Sequence, residues 1–177
     1  MDSNSEIKRL VEAVSARAAS FLASEADISV TDTEFYFHDV KRLNLDALTS
    51  IISVEGHLSV LFAFSLSQAL AEQINLGYTK ELQPTEQELE EYLEETLADM
   101  INVILGNVLT QFQLAGEAIH LSPPVVISEA KNICRNKQAK FMTSRLNTSY
   151  GVLDVYCIGP KELFDQKLNY IEEGSHE

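Results

Sequence analysis

The sequence predicts a single α+β domain, residues 1–177, in which an antiparallel β-sheet is flanked by long helices. Two stretches, 5–23 and 86–112, repeat apolar residues every three or four positions, as amphipathic helices do. Two segments, 49–64 and 140–158, each place two runs of strand-forming residues on either side of a turn, which predicts antiparallel strand pairs. Because a long helix followed by strands occurs twice, the order also indicates a weak internal repeat.

The N-terminal half is predicted to begin with the first of these helices and to continue as strands. The apolar positions of the helix have helical spacing: Ile7, Leu10, Val11, Val14, Ala18, Phe21 and Leu22. The β-forming residues between 28 and 40 then predict a strand, or a strand with a turn. Glu55 and Gly56 separate the two arms of the first hairpin, 49–54 and 58–64.

Two further helices are predicted in the middle of the chain. The first is short, 67–76, and Gly77 is expected to end it, because glycine favours the position that follows a helix. The second is the long helix at 86–112. Thr85 and Glu88 have the spacing of a capping box, which satisfies backbone donors at the helix start.

The C-terminal third is predicted to be mostly strand. A short strand is expected at 118–121, and the apolar residues 125–127 fit either a strand or a helix. The second antiparallel pair joins 140–148 to 152–158. A terminal helix is predicted to begin at Pro160, because proline is favoured in the first turn of a helix.

The charge of the chain limits the classes of partner. Thirteen basic and 27 acidic residues give a formal net charge of −14, which repels nucleic acid phosphates and anionic membrane surfaces. The longest apolar run, 58–66, is far shorter than the roughly 20 residues that span a bilayer. With no apolar leader and two cysteines that lack a close pair spacing, Cys134 and Cys157, we expect a cytoplasmic protein with reduced thiols.

The sequence does not predict a metal or cofactor of its own. The four histidines, His38, His57, His120 and His176, are scattered and lack the spacing of a metal site. There is no nucleophile elbow, no phosphate-binding loop of the Walker type and no dinucleotide fingerprint.

The long helix has one buried and one unusual polar face. The predicted buried stripe consists of Leu89, Leu93, Leu97, Met100, Ile101, Ile104 and Val108. The opposite stripe consists of Glu88, Glu91, Glu95, Asp99, Asn102 and Gly106. Asn102 and Gly106 both disfavour helix, which suggests a surface that another molecule approaches closely. The alternative interpretation is an ordinary solvated face.

The same helix resembles a known family. The run from Asp99 to Asn107, DMINVILGN, followed by Pro123-Pro124, resembles the signature of the CheX/CheC/FliY family of chemotaxis phosphatases, closest to CheX-like members. Glu95 takes the first acidic-or-serine place, Asp99 the glutamate place, Asn102 the asparagine place, and Pro123 or Pro124 the proline place. The similarity extends loosely from 48 to 158.

The resemblance implies a fold, an activity and a partner. The fold is CheC-like, with two pseudo-repeated halves. The activity is hydrolysis of the aspartyl phosphate of a CheY-like response regulator in chemotaxis or two-component signalling. Asn102 would orient the attacking water and Asp99 would pair with the regulator's lysine. Glu95 would contact the partner at the rim, and Gly106 would permit close approach. Mg²⁺ is expected in the partner only.

Aspartate at 99 leaves a second function open. The family has glutamate there, and aspartate is shorter by one methylene, about 1.5 Å of reach. The alternative is a non-catalytic CheC-like adaptor that binds a response regulator, a receptor-modifying enzyme or a flagellar switch protein. Asp99 and Asn102 are also compatible with plain solvated helix residues.

Two expectations concern the whole assembly. The first helix has no acidic-x-x-Asn set around Arg9, Glu12 and Ser15, so only one helix is expected to be active. Some relatives resemble one another in dimerising through sheet edges. We therefore expect a homodimer built on the strands of 140–158, because pairing two acidic 86–112 helices would bring like charges together.

Overall fold

The structure of the chain is a computed structural model, which describes residues 3–37, 42–113, 118–129, 132–134 and 140–159. These residues form three α-helices and nine strands, the predicted α+β class. The helices are α1 (Ser3–Ala26), α2 (Gln68–Tyr78) and α3 (Glu86–Leu109). The strands are β1 (Val30–Tyr36), β2 (Arg42–Asn44), β3 (Leu48–Glu55), β4 (Val60–Leu66), β5 (His120–Leu121), β6 (Val125–Ser128), β7 (Asn132–Cys134), β8 (Lys140–Thr148) and β9 (Gly151–Gly159).

Seven of these strands form one antiparallel sheet in the order β1-β8-β9-β4-β3-β5, with β6 also paired to β3. The helices cover one face, where the main core includes Phe62 and Phe64 of β4. The opposite face carries a second apolar cluster that includes Leu61 and Ala63 of the same strand. Because β4 is buried on both faces, it reads as a continuous apolar run.

The strand pairing gives the internal repeat a clear form. Each half has an outer strand, a three-residue strand and a hairpin, namely β1, β2 and β3-β4, then β6, β7 and β8-β9. The outer strand of each half pairs with the hairpin of the other, β1 with β8 and β6 with β3. The hairpins meet at β4 and β9, and β2 pairs with β7. The helices that precede the halves, α1 and α3, both contain 24 residues.

Most predicted elements are confirmed with small changes of boundary. The capping box at Thr85 and Glu88 is present, and the long helix ends at Leu109 instead of 112. The apolar residues 125–127 lie in a strand, β6. The two three-residue strands β2 and β7 were not predicted. The terminal helix expected from Pro160 lies outside the described residues.

Gly77 does not end α2, as the sequence suggested, because the helix continues to Tyr78. A Cβ atom at Gly77 would lie 2.6 Å from the Cα atom of Ala26, at the end of α1. The glycine therefore permits two helices to pack backbone against backbone. This contact fixes the end of α2, and with it the position of Tyr78.

The 140–158 pair is a hairpin, but it does not lie at a sheet edge. β8 is paired to β1 and β9, and β9 is paired to β8 and β4, so both strands are interior. The prediction that these two strands form the edge through which a dimer assembles is therefore wrong. Among the described helices, none is long and apolar enough to cross a membrane.

Candidate functional site

The polar stripe of α3 faces away from the core. Glu95, Asp99 and Asn102 are exposed, while Met100 and Ile101 on the opposite side are fully buried. Glu95, Asp99 and Asn102 lie three or four positions apart, so their side chains share one face of the helix. The buried side anchors the helix, and the exposed side presents a carboxylate and an amide one turn apart.

Gly106 continues this stripe one turn beyond Asn102. A Cβ atom at Gly106 would have no neighbour within 4 Å. The structure therefore gives no internal packing reason for a glycine here, in contrast with Gly77. The backbone at Gly106 is open to an approaching molecule.

The exposed face of α3 forms one wall of an open groove of about 590 Å³. The other walls come from the end of α2, a short 3-10 helix (Lys80–Leu82) and the loop before β6. The residues that line the groove are Tyr78, Thr79, Leu82, Tyr92, Glu95, Thr96, Ala98, Asp99, Asn102 and Pro124. Of the predicted site residues, Glu95, Asp99, Asn102 and Pro124 thus lie together. Gly106 and Pro123 are not part of the lining.

Pro124 is held at the groove because the residues before and after it both contact strand β3. The backbone N–H of Ser122 donates to the Ser53 carbonyl oxygen at 3.0 Å, and the Ser122 hydroxyl accepts from the Ser53 N–H at 2.9 Å. After the proline, Val125 pairs with Ile51. Since the chain is fixed before and after Pro124, the proline forms a rigid part of the wall.

Tyr78 contacts the predicted acidic residue directly. Its hydroxyl donates a hydrogen bond to Oδ2 of Asp99. Its ring packs against Phe21, with ring centroids 5.6 Å apart. The hydrogen bond to the carboxylate is the main reason why the pKa of Tyr78 is raised to about 12. The phenol therefore stays protonated, and remains a donor, at neutral pH.

A buried polar cluster joins α2 to α3 beneath the groove. The Asn75 side chain donates to the Leu89 carbonyl oxygen at 2.6 Å and accepts from the Thr96 hydroxyl at 2.7 Å. The Thr79 hydroxyl donates to the Asn75 carbonyl oxygen at 2.7 Å. Since buried polar groups are costly without partners, these bonds fix the spacing of the two helices.

Sequence reasoning missed the part of the groove that α2 and the 3-10 helix supply. Tyr78, Thr79 and Leu82 precede the long helix and belong to no motif that the sequence displays. An asparagine among the apolar positions of a short helix, Asn75, was the available signal for a helix contact. Leu82, 68% exposed, gave no signal at all.

The charged side chains in the groove lining, Glu95 and Asp99, are both acidic. With a net charge of −14 on the whole chain, the groove favours a cationic group over an anionic one. No cluster of three or more histidine, cysteine, aspartate or glutamate side chains that could hold a metal ion is found in the described part of the chain.

The first helix carries no equivalent chemistry. The buried positions of α1 and α3 have the same spacing, namely Leu10, Val11, Val14, Ser15, Ala18 and Leu22 in α1, and Thr96, Leu97, Met100, Ile101, Ile104 and Val108 in α3. In this alignment Ala13 and Ala16 stand where α3 has Asp99 and Asn102. Ser15, which the sequence placed on the polar face, is instead buried and hydrogen-bonded to Ser144 at 2.5 Å.

Comparison with known proteins identifies the relatives of this chain. Residues 48–146 match the family model described as chemotaxis phosphatase CheX. Among solved structures, a chemotaxis protein CheX from Desulfovibrio desulfuricans is similar, with a TM-score of 0.71 and 13% identity over 84% of this chain and 97% of that chain. A CheC-like superfamily protein from Shewanella sp. PV-4 has a TM-score of 0.63 and 12% identity, covering 90% of this chain and 99% of its own.

A third similar structure is a complex. It is the CheX–CheY–BeF3–Mg²⁺ complex from Borrelia burgdorferi, with a TM-score of 0.65 and 16% identity over 84% of this chain and 97% of that chain. No curated protein sequence matches the chain. The structural similarities, at such low identities, show the fold, and they agree with the CheC-like architecture expected from the sequence.

Proposed function

This chain belongs to the CheX family of chemotaxis phosphatases, and from that membership we propose that it hydrolyses the aspartyl phosphate of a CheY-like response regulator. The observation that carries the proposal is the groove itself. It brings the Asn102 amide, the Asp99 carboxylate and Pro124 together on one open, acidic surface. A surface of this kind suits a protein partner whose active site docks against the exposed face of α3.

Asn102 is proposed to orient the attacking water. Hydrolysis of an acyl phosphate requires a water molecule held in line with the phosphorus, and positioning supplies most of the catalysis in phosphoryl transfer. An amide offers both a donor and an acceptor to that water and does not need to ionise. Asn102 is exposed on a helix whose other side is fully buried, so it can enter the partner's site without loss of rigidity.

Asp99 is proposed to pair with a lysine of the response regulator. The charged residues in the groove lining, Glu95 and Asp99, are acidic and therefore attract a cation. Glu95 would contact the partner at the rim, and the bare backbone at Gly106 would permit close approach. The Mg²⁺ ion is proposed to belong to the partner.

The first test is the rate of phosphoryl loss from a purified response regulator in the presence of Mg²⁺. The wild-type chain is expected to accelerate this loss, and Asn102→Ala should reduce the acceleration by about a hundredfold, as removal of one oriented polar group does in other enzymes. Asn107→Ala is the matched control. Asn107 is exposed on the same helix outside the groove lining, and its side chain donates to the Val103 carbonyl oxygen at 2.8 Å.

Equal rates for wild type and Asn102→Ala would contradict the assignment of Asn102. A wild-type chain that binds the phosphorylated regulator without accelerating phosphoryl loss would instead support the adaptor function. One observation favours that second candidate, since aspartate at 99 is shorter than the glutamate of the family pattern. Since response regulators act in the cytoplasm, either function would place this protein in the cytoplasm.

A further inference from the structure

We infer that Tyr78 is a positioning residue of the site, which holds the Asp99 carboxylate in the orientation needed to receive the partner's cation. The inference rests on the proposed function, because it assigns a role to Tyr78 in the same reaction. It extends the site from one helix to two. The second helix, α2, carries none of the residues on which the family resemblance depends.

The hydrogen-bond geometry leaves one carboxylate oxygen for the partner. The Tyr78 hydroxyl donates to Oδ2 of Asp99, which leaves Oδ1 as the oxygen that can accept from a second donor. An unrestrained exposed carboxylate samples several rotamers, and ordering it on binding costs conformational entropy. A tyrosine that orders it beforehand reduces that cost.

Tyr78 is itself held rigidly from three directions. Its ring packs on Phe21 of α1, with centroids 5.6 Å apart. The preceding residue, Gly77, allows the backbone of α2 to contact Ala26 closely, and the following residue, Thr79, hydrogen-bonds to Asn75. The hydroxyl therefore has a fixed position from which to direct a flexible side chain.

Rigid support also explains how a short acidic residue could serve here. Aspartate reaches about 1.5 Å less far than glutamate, but it has one rotatable bond fewer to immobilise. Tyr78 and Asp99 therefore act as a hydrogen-bonded pair, in which a fixed orientation compensates for the shorter side chain.

The test removes the hydroxyl and keeps the ring. Tyr78→Phe should lower the maximal rate of regulator dephosphorylation by about tenfold, because a misplaced catalytic contact typically costs one to two orders of magnitude. Tyr150→Phe is the matched control. Tyr150 is exposed at the turn between β8 and β9 and is not part of the groove lining, so the rate of this variant should stay within about twofold of wild type.

A double-mutant cycle separates positioning from a general structural role. In an Asp99→Ala background, Tyr78→Phe should have no further effect, because the hydroxyl then has no carboxylate to position. If Tyr78→Phe still lowers the rate tenfold in that background, the tyrosine acts through something other than Asp99, and the inference is wrong.

A titration supplies a readout that does not depend on activity. The groups that face the Tyr78 phenol are Asp99 of α3 and Glu25 of α1; the hydrogen bond to Asp99, partial burial of the phenol and the charges of the two carboxylates together raise the pKa of Tyr78 to about 12. In Asp99→Asn, carbon NMR of labelled tyrosine should show the pKa falling toward the ordinary value of about 10, although Glu25 remains. A pKa near 10 in the wild-type protein would overturn the inference.

The outcomes distinguish this inference from the proposed function. A wild-type chain that never accelerates phosphoryl loss overturns both the proposed function and the catalytic role of Tyr78. An active wild type with additive effects in the double-mutant cycle, or with a Tyr78 pKa that does not respond to Asp99→Asn, overturns only the inference. An active wild type, a non-additive cycle and a responsive pKa together support it.

Discussion

Asp99 is the residue on which the choice between a phosphatase and a binding protein depends. It stands where the family pattern has glutamate, and its Oδ2 atom is engaged by Tyr78. If the shorter side chain were a defect, lengthening it should restore activity. If the shorter side chain were adapted to Tyr78, lengthening it should raise the activity little.

Asp99→Glu therefore gives a direct prediction. For a phosphatase weakened by reach alone, the dephosphorylation rate should rise several-fold, because a carboxylate about 1.5 Å further out forms a better ion pair with the regulator's lysine. Affinity for the regulator should change little. The measurement combines phosphoryl-loss kinetics with calorimetric binding, and Glu94→Asp, on the same helix outside the groove, is the control for a one-methylene change. A rate that falls would show instead that Asp99 suits this groove.

At this scale, the sequence alone could place three of the site residues. Glu95, Asp99 and Asn102 share a face because of helical spacing, which any helix would impose. Tyr78 could not be found in this way, because its proximity to Asp99 depends on how α2 crosses α3. The sequence also left Pro123 and Pro124 as alternatives, and the packing of the loop against β3 puts Pro124 in the groove lining.

At the scale of elements, the two helical glycines lead to opposite predictions. Gly77→Ala should lower the free energy of unfolding by about 1–3 kcal/mol, because a Cβ atom would lie 2.6 Å from the Ala26 Cα atom and 2.9 Å from its carbonyl oxygen, and backbone atoms cannot easily move aside. Gly106→Ala meets nothing within 4 Å and should raise that free energy by up to about 1 kcal/mol. Urea unfolding of both variants measures the difference, and a stabilised Gly77→Ala would contradict the observed crossing of α1 and α2.

The sequence could predict the long elements but not how a single glycine is used. Both a helix end and a close helix contact call for glycine, so Gly77 alone did not distinguish them. The strands β2 and β7 each have three residues, too few to display an alternating pattern. By contrast, the capping box at Thr85 is a local feature, and its hydrogen bonds form as the sequence predicted.

At the scale of the whole molecule, the pseudo-repeat decides which surfaces are free. The outer strand of each half pairs with the hairpin of the other half, β1 with β8 and β6 with β3. Both hairpins therefore lie inside the sheet. A dimer that extends the sheet must use β1 at one end or β5 and β6 at the other. The repeat was predicted from the order of elements, but strand exchange between the halves depends on long-range pairing, which no local pattern encodes.

We expect a homodimer formed through the β1 edge. Among the described strands, β1 is the longer of the two free edges, with seven residues, and it displays Phe35 at 40% exposure. A dimer through β6 would bury the edge next to Pro124 and obstruct the groove, and one through α3 would bring acidic faces together.

Light scattering at micromolar concentration tests this interface. Wild type should have twice the chain mass of 19.7 kDa, and Phe35→Glu should be monomeric. Val125→Glu, which adds the same charge at an exposed apolar position of the opposite edge, should remain dimeric. A monomeric wild type would exclude a stable dimer, and a dimer lost only in Val125→Glu would assign the interface to the groove edge.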